Sequence, residues 1–161
     1  MATESERLTQ IETRLALEDL NTNFCFFLDH GHIYKLLELF TETANYSHGT
    51  RTSIGRAEIA KVFTRRSEGG PRTARHLYSG LQLQIHSANS ASGTSVCMTF
   101  ACNGEAPIVP ATPYLVADFI DQYERGSDGI WRISARHIER IFVADSNTGP
   151  VGQAADNTRG S

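Results

Sequence analysis

The hydrophobic period changes once along this chain, and that change limits the folds open to it. Leu17, Leu20, Phe24 and Phe27 recur at helical spacing within Leu8–Asp29, so a helix buries one face there. Ile33, Leu36, Leu37 and Phe40 continue as a short second helix, and Ile59, Val62 and Phe63 point inward from a third over Arg56–Arg66. Thr43–Thr50 reads as a lone strand between them, followed by a turn at Thr52-Ser53-Ile54-Gly55. From Leu81 onward the period becomes two: Leu81, Leu83 and Ile85 face one way, Gln82, Gln84 and His86 the other. Thr94–Cys102, Tyr114–Glu124 and Ile130–Val143 follow as strands, the last two joined tightly at Gly126-Ser127-Asp128-Gly129. Helices first and an antiparallel meander after them predict an α+β fold, a curved sheet wrapped against helices around a cone-shaped cavity. Residues 1–145 are expected to form a single domain, with a frayed start through Arg7. Residues 146–161, rich in Gly, Asn, Ala and Ser, are expected to be a flexible tail or an oligomer arm.

Composition narrows the function. A net charge of −3 over 161 residues leaves no basic footprint for nucleic acid. No apolar run approaches the roughly 20 residues that span a bilayer, and the polar start lacks a signal-peptide core, so a soluble, cytoplasmic protein is expected. Cys25, Cys97 and Cys102 are odd in number and lack CxxC spacing, which favours free thiols over a disulfide or zinc site. His30 and His32 flank a helix break with no third ligand in view, so no metal is expected. Nor is there a nucleotide loop, haem ligand or pyridoxal motif, and no cofactor is expected.

The stretch Leu28-Asp29-His30-Gly31 stands out. An Asp closing a helix lies near the negative end of the macrodipole, unfavourable by a few tenths to about 1 kcal/mol. Gly31 suits the residue that turns the chain out of the helix. Asp29 either helps that turn and faces water, or is an anchored acid at the mouth of a pocket. Its place on the flank of the apolar stripe predicts a half-buried carboxylate.

Three segments decide what to expect. "FLDHGHIYKLLELFTETANYSHG", "TARHLYSGLQLQI" and "DQYERGSDGIWRISARHI" resemble the SnoaL-like branch of the nuclear transport factor 2-like superfamily, closest in pattern to scytalone dehydratase, hexachlorocyclohexane dehydrochlorinase and the bile-acid 7α-dehydratases. The resemblance implies a cone-shaped α+β barrel, N-terminal helices packed on a curved, mostly antiparallel sheet. It also implies that Asp29, closing the first helix, holds His76 at the start of the first meander strand. An Asp that accepts Nδ1–H fixes the imidazole tautomer and leaves Nε2 as a base.

Around that pair the resemblance places Tyr46 as a hydroxyl that binds a carbonyl or leaving group, with an ordinary core tyrosine as the alternative. His48 shares its face. Phe24 stands where several relatives carry a tyrosine, and Ala117 and Phe119 replace polar residues, so the pocket should be more apolar. His137 falls on the alternating face of Trp131 and Ile133 and is a candidate to enter the pocket; Asp121 is a reserve acid. Arg65 and Arg66 read as a solvated helix end, with a phosphate site there only weakly indicated.

The expected function is a cofactor-independent lyase, a dehydratase or dehydrohalogenase, acting on a mostly apolar cyclic small molecule. The alternatives are an isomerase or cyclase using the same dyad, or a non-catalytic ligand-binding or assembly subunit. A homo-oligomer is expected, a trimer ahead of a dimer.

Overall fold

The structure, a computed structural model, describes residues 3–144, so the expected tail lies outside the described residues. Its elements run α1 (Glu4–Asp29), α2 (Ile33–Glu38), β1 (Phe40–His48), β2 (Arg51–Ile54), α3 (Arg56–Glu68), β3 (Arg72–Ser87), β4 (Ser90–Asn103), β5 (Leu115–Arg125) and β6 (Trp131–Val143).

Helix α1 begins earlier than its apolar stripe. Thr3 caps it by accepting the Glu6 N–H at 3.2 Å, while the Glu6 carboxylate accepts the Thr3 N–H at 2.7 Å. This reciprocal capping box orders a start expected to fray. Thr13, Leu17, Leu20, Asn21, Phe24, Cys25 and Leu28 form its buried face. At the other end Gly31, at φ 72°, adopts the left-handed conformation that a side chain would resist, and the chain turns into α2. Two boundaries also move. Phe40 opens β1 rather than closing α2, and Thr52, Ser53 and Ile54 belong to β2, a short strand antiparallel to β1, not to a turn.

The strands form one six-stranded mixed sheet in the order β2-β1-β6-β5-β4-β3. β3 through β6 make the antiparallel meander, and β1 returns to lie parallel to β6. This corrects the expected cone-shaped barrel: β2 and β3 are two separate edges, and the sheet is neither closed nor strongly curled. Closure would require the four-residue β2 to pair with the sixteen-residue β3, which instead has a partner on one side only. Helices do the covering that closure would have done. Phe24 of α1 meets Phe40, Phe63 and Phe119 edge-on, with ring centroids 5.9–6.3 Å apart, so one ring ties α1 to β1, α3 and β5.

One irregularity in the meander controls what faces inward. Gln122 pairs with Ala135 but the next residue, Tyr123, pairs with Ile133, so Ser134 is an extra residue on β6. A bulge of this kind reverses the alternation beyond it. Trp131 and Ile133 are therefore buried together with Arg136 and Ile138, and His137 is turned to the opposite face.

Candidate active site

Between the helices and the sheet lies a cavity of about 620 Å³. The end of α1 and the start of β3 meet beside it. Both oxygens of Asp29 are committed to one residue. Oδ1 accepts from His76 Nδ1 at 2.5 Å, and Oδ2 accepts from the His76 backbone N–H at 2.7 Å. The contact spans 47 residues of sequence and pins the helix end to the strand. Asp29 is half-buried as a residue, but its side chain and that of His76 are only 5% and 8% exposed.

Electrostatics favour one protonation state for the pair. Burial alone would raise the Asp29 carboxyl, but hydrogen bonds and charge from His76, with Arg75 adding to them, hold it below its ordinary range. Burial lowers His76, and Arg66 and Arg72 add to that, against the opposing pull of Asp29; the net shift is downward. The stable form near neutrality is a carboxylate beside a neutral imidazole. With Nδ1 donating to Asp29, Nε2 is left as the basic nitrogen on a ring that lines the cavity.

Tyr46, His48, Phe24 and Phe119 line the same cavity. Tyr46 packs on Phe40 and Phe63, and burial raises its hydroxyl pKa, so it remains a proton donor. His48 accepts at Nε2 from Arg140 Nε at 3.2 Å. Burial first, and then the charges of Arg140, Arg66 and Arg51, lower it to about 4. It serves here as a neutral acceptor.

Two expected residues lie elsewhere. His137 does not line the cavity; it joins Ser47 Oγ at 2.8 Å and Glu139 at 2.9 Å, because the extra residue at Ser134 turned it outward. Asp121 is not a cavity acid either, but half of an enclosed ion pair. Arg136 donates to it from Nε at 2.8 Å and Nη2 at 2.7 Å, and both side chains are 0% exposed. Tyr123 donates to Asp121 at 2.7 Å, Asn21 Nδ2 donates to the Tyr123 hydroxyl at 2.9 Å, and Arg136 Nη2 also donates to Asn21 Oδ1. The Phe24 and Phe119 rings lie 4.3 and 4.4 Å from the guanidinium carbon, screening this network from the cavity.

What the periodicity reading missed is a set of cations. Arg51, Arg65, Arg66, Arg72 and Arg140 all line the cavity. Arg66 follows Phe63 by three residues and so continues the inward stripe of α3; Arg72 shares its strand face with Ala74 and His76. Those spacings carried the signal, but charge at a helix end reads as solvated by default. Among the described residues no cluster of three or more His, Cys, Asp or Glu is placed to hold a metal ion. His30 instead stacks on Phe26, with centroids 4.1 Å apart. No described helix is long and apolar enough to cross a membrane.

Comparisons with known proteins agree with this architecture. The chain resembles a candidate scytalone dehydratase from Novosphingobium aromaticivorans, at 22% identity and a TM-score of 0.74, over 91% of this chain and 97% of that one. It resembles a type 2 hexachlorocyclohexane dehydrochlorinase (LinA) at 18% identity and a TM-score of 0.72, over 91% and 99% of the two chains. ActVI-ORFA from Streptomyces coelicolor follows at 20% identity and a TM-score of 0.69, over 80% and 97%. At these identities the likeness is one of fold. No curated protein matches the sequence. The SnoaL-like domain model matches residues 9–137, which takes in every element from α1 into β6 and both partners of the Asp29–His76 contact, and the chain therefore belongs to the SnoaL-like domain family.

Proposed function

We propose that this chain is a cofactor-independent lyase whose general base is His76. One observation carries the reading: a buried carboxylate spends both oxygens fixing the position and tautomer of one imidazole, whose other nitrogen belongs to a cavity-lining ring. A structural ion pair needs no such free nitrogen.

In the proposed step, Nε2 takes a proton from a carbon next to a carbonyl or other activating group. The C–H electron pair becomes the new C=C bond, and the C–O or C–halide bond on the neighbouring carbon breaks. Asp29 stabilises the imidazolium that forms, and the Tyr46 hydroxyl, kept protonated by burial, donates to the departing oxygen or halide. For water as product, the imidazolium returns its proton to the leaving hydroxyl; for halide, the anion leaves and the imidazolium releases its proton to solvent, so in neither case is anything oxidised or reduced. The fold shared with a dehydrochlorinase and a candidate dehydratase supports eliminations of this type. The rings of Phe24, Phe63 and Phe119 suit an apolar substrate body.

The test is a double-mutant cycle on turnover of β-hydroxy and β-halo carbonyl compounds. His76→Ala should lose at least about 10²-fold. Asp29→Asn should lose comparably, because its amide N–H opposes Nδ1–H and favours the wrong tautomer. The double variant should be little worse than the worse single one, as for residues acting as a unit. Multiplicative losses would dissolve the dyad, and unchanged turnover in His76→Ala would remove the base.

A homo-oligomer belongs to the same proposal. Leu77, Met98, Val116 and Phe142 pair side by side across β3, β4, β5 and β6, and Leu77 and Phe142 are more than half exposed. Such an apolar row is suited to burial against another copy. Light scattering should find a trimer or dimer; a monomer at micromolar concentration would contradict it.

A further inference from the structure

The cavity is far more cationic than the chain that builds it. The protein carries a net charge of −3, yet five arginines line the cavity and none of its described lining residues is Asp or Glu. The neighbouring carboxylate, Asp29, has both oxygens engaged by His76. Arg140 is turned to His48. That leaves Arg66 and Arg72 as the inner cations. Nη2 of Arg66 and Nε of Arg72 are buried with no hydrogen-bond partner among the described residues. Arg72 makes one long contact, from Nη1 to Asn103 Oδ1 at 3.4 Å. Burial lowers both: Arg72 to about 10, with Arg66 adding to it, and Arg66 as well, where Tyr46, Asp29 and Tyr114 oppose the shift. Buried guanidinium nitrogens without acceptors destabilise the empty protein unless an anion joins them.

We propose that the substrate carries a carboxylate and that Arg66 and Arg72 bind it. This deepens the proposed function and rests on it for the location of the chemistry. A guanidinium fork matches the two oxygens of a carboxylate, and two forks from α3 and β3 can hold one such group between them. Arg51 and Arg65, exposed at the same cavity, add to the field that draws an anion in. The apolar body then lies on Phe24, Phe63, Phe119 and Ile138. The volume of about 620 Å³ suits a small molecule with one or two rings. Arg66, Arg72 and His76 line the same cavity, so the bound carboxylate shares it with the base, and both arginine charges oppose His76 protonation. Binding it relieves that opposition, and the anchored end fixes which carbon is presented to Nε2. The "mostly apolar" substrate thus becomes an apolar ring system with one anionic end.

The experiment is calorimetric binding of benzoate, naphthoate and biphenyl carboxylate, each beside its neutral carboxamide, to the full chain. At least one carboxylate should bind about tenfold or more tightly than its amide. In Arg66→Met and Arg72→Met that ratio should collapse toward one, and in His76→Ala it should persist. Arg66→Lys, which keeps the charge without the fork, should retain part of it. Amides that bind as well as every carboxylate, or a panel in which no carboxylate binds, would overturn the proposal in the unmodified protein, whatever the variants do. A ratio that survives both methionine variants would also overturn it. Failure of the base assignment reads separately, as unchanged turnover in His76→Ala with the binding ratio intact.

Discussion

Two buried acid–base pairs are built to different specifications: Arg136 of one packs against the Phe24 and Phe119 rings, and His76 of the other lines the cavity with those rings. The Asp121–Arg136 pair is closed. Asn21 and Tyr123 supply further partners, and no described part of it lines the cavity. Its charge is spent inside the wall; burial opposes the Arg136 cation, and Asp121 more than restores it. The Asp29–His76 pair is open. The carboxylate is saturated, but the imidazole keeps one nitrogen uncommitted to Asp29, and two underpartnered guanidiniums stand nearby. A buried network whose charges pair inside it adds specificity to a fold, even with Arg136 Nη1 left without a partner among the described residues. A network with one position left over is arranged for something that arrives later.

The comparison breaks most visibly at the closed pair. Asp121→Ala leaves a fully buried guanidinium without its counter-ion and should cost about 3–5 kcal/mol, a large share of a typical domain's stability. Urea unfolding measures it. His76→Ala should cost less stability and far more turnover, because Asp29 keeps the backbone N–H of residue 76 and the charges of Arg66, Arg72 and Arg75. If the two variants lose stability alike, the distinction between closed and open pairs fails. A smaller effect sharpens it. Arg66→Met removes a charge that opposes His76 protonation, so it should raise the His76 pKa in an NMR titration, whereas a change at the closed pair should not.

Much of this arrangement is legible in the residues, for physical reasons that differ from element to element. The end of α1 at Asp29 and the turn at Gly31 follow from local chemistry, and so does the capping box, since Thr3 and Glu6 stand at the diagnostic spacing even though the polar start conceals it. The meander strands follow from alternation. What is not local was not legible. Nothing near Ser134 announces an extra residue, so alternation carried His137 to the wrong face and left Arg136 unnoticed. Asp121 reads as a reserve acid because the partner that neutralises it lies fifteen residues away across a hairpin. The open sheet follows from the pairing of β1 with β6, a contact between distant segments whose consequences for closure no single strand contains. Arg66 and Arg72 were on inward stripes, but only docking of α3 against the sheet decides that those stripes line a cavity rather than a packed core.

The central claim concerns one proton, and nitrogen NMR of the His76 ring in the unmodified protein tests it directly across a pH titration. The account predicts a neutral imidazole near neutrality with its proton on Nδ1 and Nε2 bare. Because its pKa lies below the ordinary 6.5, the ring should be half-protonated only at a pH below that value, and the base form should predominate above it. A proton resident on Nε2, or a ring still charged at pH values above 6.5, would contradict it.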